Sequence, residues 1–205
     1  YFLVPSDNQT FVVSGVLNSK SYVFKIDEDG NIIWEHSYFL NNRSSTAAIY
    51  QTSDNGYVVV GSFQVSSGGW WYPNLFFINN MGELLMQITY SESGGYPNRI
   101  IETSDGGFIF GGSWNNSLQV KKISSTGIDM WEYAYQGEYL STITSINETS
   151  DGNIIITDNS ENASMRKLNP DGDTLWTRHN HNSFGADFPK YRSVQLTNDN
   201  ALIIT

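Results

Sequence analysis

Cysteine is absent from the 205 residues. That removes disulfide scaffolds, thiolate zinc sites, iron–sulfur clusters and thiol catalysis together. Basic residues are scarce, 11 against 21 acidic ones, for a formal net charge of −10. Affinity for phosphate backbones comes mostly from clustered Lys and Arg, so no nucleic-acid partner is expected. No run of 18 or more apolar residues occurs, so no helix here is expected to span a bilayer. Charged residues make up only 16%, well under the usual quarter. In their place stand 6 Trp, 12 Tyr, 11 Phe and 18 Gly, a profile that suits β structure better than helix. The length allows one sizeable core or two small ones. The chain starts at Tyr1 and stops inside the apolar run Ala201-Leu202-Ile203-Ile204-Thr205, which leads us to expect part of a longer protein.

Two short patterns alternate along the whole length. The first is a turn between apolar runs: Thr52-Ser53-Asp54-Asn55-Gly56 before Tyr57-Val58-Val59-Val60-Gly61. It returns at Thr103-Ser104-Asp105-Gly106-Gly107 and at Thr149-Ser150-Asp151-Gly152, with weaker copies around Ser6-Asp7-Asn8 and Thr197-Asn198-Asp199. The second is a glycine followed four residues later by a large apolar side chain: Gly30/Trp34, Gly82/Met86, Gly127/Trp131 and Gly172/Trp176. The period, roughly 45 to 52 residues, falls in the range of solenoids, propellers and arrays. Each unit divides into short runs rich in β-branched and aromatic residues, separated by Asn, Asp, Gly and Ser. Asp-Gly and Asn-Gly supply the positive φ angles of tight hairpins, and no stretch has convincing helical periodicity.

The expected fold is therefore all-β: a β-propeller of four-stranded antiparallel blades. It has four complete blades, at about 1–45, 46–96, 97–142 and 143–190, and the start of a fifth at 191–205, as part of a larger ring. Neighbouring blades bury one another's faces, and the repeated Trp34, Trp131 and Trp176 read as packing residues between blades. A self-sufficient four-bladed ring, with 191–205 pairing beside the first blade, is the other arrangement that the length permits.

At these residues the chain resembles the secreted bacterial propeller repeats common in Bacteroidota, whose unit reads approximately T-S-D-G-G-Y-I-V-x-G and then K-x-D-x-x-G-x-x-x-W-x-x-x-Y. Lys25-Ile26-Asp27 with Gly30, Trp34 and Tyr38 fits, as do Lys122-Ile123 with Gly127, Trp131 and Tyr135, and Lys167-Leu168 with Gly172 and Trp176. The second unit departs, with Phe77-Ile78-Asn79 and Met86, and the fourth has Asn180 in place of Tyr. The resemblance implies a secreted or cell-surface location, outer-membrane association included, and attachment to a larger surface assembly. More distantly, Asp27 to Trp34 is similar to the tryptophan-docking repeat of quinoprotein propellers, a superfamily with both alcohol dehydrogenases and a non-enzymatic scaffold for outer-membrane protein assembly. Those dehydrogenases use a Cys pair that this chain lacks.

Few residues suggest chemistry. His179 and His181 would share one strand face and, with Asp187 downstream, form a partial metal set; a polar connecting loop with solvated imidazoles is the favoured explanation. Asp27, Asp29, Asp171 and Asp173 superficially resemble calcium loops, but the closing Glu of a 12-residue loop is missing, which favours turn geometry. No G-x-S-x-G, P-loop, H-E-x-x-H or Rossmann fingerprint occurs. Five glycosylation sequons stand at a frequency close to chance. We therefore expect no cofactor, no bound metal and no catalytic residue. If the blades are up-and-down, the Asp-Gly turns share one face and the loops 64–73, 91–98, 136–141 and 180–190 share the other, where recognition usually resides. Trp70, Trp71 and Tyr72, with Trp114 in the next blade, are the candidate binding residues, for stacking on sugar rings or contact with a protein. Equally, Trp70 and Trp71 serve only to cover the edge of their own sheet. The expected function is a non-enzymatic binding or scaffold module; the alternative is part of a carbohydrate-active or quinone-dependent propeller enzyme.

Overall fold

The computed structural model describes residues 2–38, 43–66, 68–91, 94–115, 117–136, 141–160, 164–179, 194–197 and 202–204. They form four four-stranded antiparallel sheets and one two-stranded sheet. The first sheet holds β1 (Phe2–Pro5), β2 (Phe11–Leu17), β3 (Lys20–Ile26) and β4 (Ile32–Tyr38). The second holds β5 (Arg43–Gln51), β6 (Tyr57–Gln64), β7 (Trp71–Ile78) and β8 (Leu84–Thr89). The third holds β9 (Gly95–Glu102), β10 (Phe108–Trp114), β11 (Ser117–Ile123) and β12 (Asp129–Gln136). The fourth holds β13 (Ile143–Glu148), β14 (Ile154–Asp158), β15 (Ser164–Leu168) and β16 (Thr174–His179). The hairpin of β17 (Val194–Leu196) and β18 (Leu202–Ile204) follows. Within each four-stranded sheet, spatial order follows chain order, as in an up-and-down meander. The chain divides into two compact units, Tyr1–Glu102 and Thr103–Thr205.

Burial grades across each sheet. The second strands are the most apolar and the most buried, Val58, Val59 and Val60 in β6 and Ile154, Ile155 and Ile156 in β14. Of the fourth strands, β8 and β16 lie open, and β4 buries only Trp34 and Tyr38. In the first unit the core is a layer between two sheets. Val12, Val23, Trp34 and Tyr38 of the first meet Ile49, Tyr57, Val59, Phe76 and Ile78 of the second. Neither sheet covers both of its own faces, so each depends on a neighbour for the apolar area that drives its folding. In the second unit Trp176 packs over Ile155 and Met165 on one face of the fourth sheet.

Candidate functional site

At one end of the strands the second, third and fourth sheets repeat the same turn chemistry. In the Thr-Ser-Asp turns the Thr hydroxyl donates to the Asp carboxylate two residues on, at 2.5 Å for Thr52–Asp54 and 2.6 Å for Thr103–Asp105, and again for Thr149–Asp151. The same carboxylate accepts the amide of Gly56 or Gly107. Across the adjoining hairpin, the Lys of the second motif reaches back to the Asp of the first. Lys25–Asp7 and Lys122–Asp105 lie at 2.5 Å and Lys167–Asp151 at 3.4 Å. The two halves of the repeat are thus one ion-paired unit. Burial alone would raise the Asp105 carboxyl, but the Lys122, Thr103 and Gly107 bonds and the Lys122 charge hold it down at about 2. The Thr149 hydroxyl leads the same effect on Asp151, also at about 2. In the second sheet Phe77 stands where the Lys would be, and Asp54 is lowered mainly by the Thr52 hydroxyl.

The third turn of each sheet is closed by a side-chain acceptor three residues before its glycine. Asp27 Oδ1 accepts the amides of Asp29 and Asn31, Asn79 Oδ1 those of Met81 and Glu83, and Asn169 Oδ1 those of Asp171 and Asp173. Ser124 Oγ accepts from Ile128. Asn79 therefore does the same work as Asp27, which accounts for the departure at that position. The acidic side chains singled out as calcium-like belong to these turns; among the described residues no three His, Asp or Glu side chains come together as a metal site.

The glycine that a repeated tryptophan touches belongs to the following sheet. Trp34 Nε1 donates to Asn80 O at 3.0 Å, and a Cβ at Gly82 would lie 2.8 Å from the indole. Trp131 Nε1 donates to Pro170 O at 2.9 Å, and a Cβ at Gly172 would lie 2.8 Å from its ring. Both glycines have positive φ, +80° and +91°, and the missing side chain lets the indole lie flat on the turn. Gly30 has the same backbone, φ +83°, with nothing within 4 Å. Tyr38 donates its hydroxyl to Gly82 O at 2.6 Å, and burial pushes its phenol above the ordinary value. A second tie escaped the sequence reading. Glu102 Oε2 and Oε1 accept the amide and hydroxyl of Ser53 at 2.7 and 2.8 Å, and Glu148 holds Ser104 in the same way at 2.6 and 2.9 Å. The signal was there, a Glu directly before Thr-Ser-Asp in two units.

The opposite end differs from sheet to sheet. In the second, Gln64 pairs with Trp71, Phe63 with Tyr72 and Ser62 with Pro73. Trp71, Tyr72 and Pro73 are therefore strand residues, and the loop is only 65–70. Gln64 Nε2 donates to Gly69 O at 2.6 Å and Gly69 N to Ser66 O at 3.0 Å, which pins the loop. Trp70 stands on it 68% exposed, beside Val65 at 66%. Gly94 N donates to Trp71 O at 2.8 Å and Ser62 Oγ to Gly95 O at 2.9 Å. These bonds bring β9 and half-exposed Tyr96 to the same end, a residue the sequence reading did not choose. Trp114 is a correction. It pairs with Ser117 across a tight turn, with Asn115 at φ +45°, and is 1% exposed near Phe110; it is a core residue and offers no surface to a ligand. In the fourth sheet this end carries a buried ion pair. Arg166 Nη1 reaches Asp158 at 2.7 Å and its guanidinium lies 3.5 Å over the Tyr135 ring. Ser160 and Ser164 also donate to Asp158, and these bonds with Arg166 outweigh burial and lower its carboxyl. His179 is exposed; His181 and Asp187 lie outside the described residues.

No family model matches this sequence, and no curated protein matches it. Solved structures do. A protein of unknown function from Bacteroides caccae superposes with a TM-score of 0.62 at 14% identity, over 95% of this chain and 64% of that one. BamB from Moraxella catarrhalis gives 0.60 at 13%, over 98% and 53%. A protein named as a candidate gluconolactonase gives 0.60 at 11%, over 99% and 69%. At such identities the likeness shows the fold alone, and that fold is the β-propeller. The chain spans 53% to 69% of the length of these three chains.

Proposed function

We propose that the protein is a non-enzymatic, secreted or cell-surface binding module that recognises a protein or glycan with the loop end of its blades. The observation that supports this reading is Trp70, a large aromatic held 68% exposed on a loop pinned by Gln64 and Gly69. An exposed indole on a fixed hairpin offers stacking area at little ordering cost, and Tyr96 adds a second ring at the same end. A glycan array probed with wild type and with Trp70→Ala tests the sugar branch. Binding lost in the variant supports it; equal binding, or none, removes it and leaves a protein partner. Protease accessibility on intact host cells tests the location, and an intact protein after treatment counts against surface display.

The fold itself admits an enzyme, and the structural neighbour named as a candidate gluconolactonase favours that as the second reading. Lactone hydrolysis by the purified chain would replace the first reading with the second.

A further inference from the structure

Among the described residues the fourth strand of each four-stranded sheet is an edge, and the four edges are not defended alike. β4 carries Glu35 and His36, β12 carries Asp129 and Glu132, and β16 carries Arg178 and His179. β8 reads Leu-Leu-Met-Gln-Ile-Thr and has no charge. Its first two residues, Leu84 and Leu85, are 50% and 63% exposed. Unpaired N–H and C=O groups on an edge template a further strand, which is why soluble proteins usually place charge there. A bulge shifts the register between Phe77–Met86 and Ile78–Leu84, but the other three sheets have it at the corresponding place, so it does not set β8 apart.

Beside this edge lies an open pocket of about 430 Å³, lined by His36, Tyr38, Gly82, Glu83, Leu84 and Gln87. Tyr38 and Leu84 make an aromatic and aliphatic wall, and exposed Glu83, whose Oε2 accepts from Asn79 Nδ2 at 2.8 Å, brings a carboxylate to it. His36 is held in place by donating Nε2–H to Met81 O at 3.2 Å. Residues 1–102 carry nine acidic side chains against four basic ones, so the surroundings favour a cation.

We propose that β8 is a strand-addition site for an extended segment of a partner protein carrying an arginine or lysine, whose side chain enters the pocket. Main-chain hydrogen bonds to β8 supply affinity and the pocket supplies selectivity. The aliphatic stem of the basic residue lies along Tyr38 and Leu84 while its head group meets Glu83. A second copy of this chain fits less well, because β8 has no basic residue to offer the pocket.

The test is fluorescence anisotropy of a labelled heptapeptide of alternating threonine and valine with a central arginine, against the same peptide with a central glutamate. The arginine peptide should bind the 205-residue chain about 10-fold more tightly or better. Glu83→Gln should remove most of that preference with the melting temperature unchanged, and Gln87→Lys should abolish arginine-peptide binding by placing a like charge at the pocket. Equal affinity for the two peptides, no binding at about 1 mM, or unchanged binding in Gln87→Lys overturns the proposal. So does a dimer of wild type that dissociates in Gln87→Lys while neither peptide binds, since the occupant is then a second copy.

Discussion

The two ends of the strands are built on opposite plans. At the turn end one scheme recurs: a Thr–Asp hydroxyl bond in the three Thr-Ser-Asp turns, a Lys–Asp ion pair in three sheets, an Asp, Asn or Ser acceptor before the glycine in the four four-stranded sheets, and two Trp–Gly and two Glu–Ser ties between neighbouring sheets. At the other end the second sheet has a loop at 65–70, the third a tight turn at Trp114–Ser117, and the fourth a buried Asp158–Arg166 pair. Repetition marks the groups that hold sheets together, and divergence marks where a rigid scaffold is free to carry recognition.

Substitutions can break or sharpen that contrast. The largest effect should come from Trp34→Ala, which removes a buried indole and costs about 3–5 kcal/mol; partly exposed Trp131 should cost less, about 2 kcal/mol. Urea melts check the order, and equal losses would mean that burial does not govern the docking. Gly82→Ala should cost about 2 kcal/mol or more, since it adds a Cβ clash with Trp34 to the positive-φ strain. Gly30→Ala should show the strain alone, about 1 kcal/mol, and the difference between the two melts isolates the docking contact. A smaller effect is expected of pH. The Asp105 carboxyl sits at about 2 in the folded protein, below its unfolded value of about 4. Its contribution is complete above pH about 4 and disappears as pH falls through about 4 to about 2. Asp105→Asn should therefore lose less stability than wild type between pH 7 and pH 3, read from urea midpoints. Trp70→Ala, at the divergent end, should change stability by no more than about 0.5 kcal/mol while abolishing ligand binding; a larger loss would make the indole a cover for its own sheet.

The repeat, the all-β class and the turn end were legible because their information is local. Thr52, Asp54 and Gly56 dictate a turn among themselves, and the identical Gly-to-Trp offsets announce a repeated unit. The divergent end was read only in part. Trp70 and Trp114 looked alike as loop aromatics, yet pairing of Gln64 with Trp71 leaves six residues outside the ladder, whereas Trp114 with Ser117 leaves two. Strand register turns one indole outward and the other into the core, and register answers to the whole sheet. The Glu102 and Glu148 ties were missed for a related reason, since their partners lie 49 and 44 residues away and no short motif spans that distance.

The amino-acid sequence by itself determined the strand-and-turn unit, its number of repeats and the acidic, cysteine-free chemistry of the surface. Only the tertiary structure decided which sheet's glycine receives each tryptophan, which aromatics remain exposed, and that β8 is an uncharged edge beside a pocket. Those features depend on contacts between sheets whose residues lie more than 30 positions apart, Trp34 on Asn80 and Trp131 on Pro170. Periodicity sets such contacts up without specifying their partners, because every blade offers the same turn and only packing selects among them.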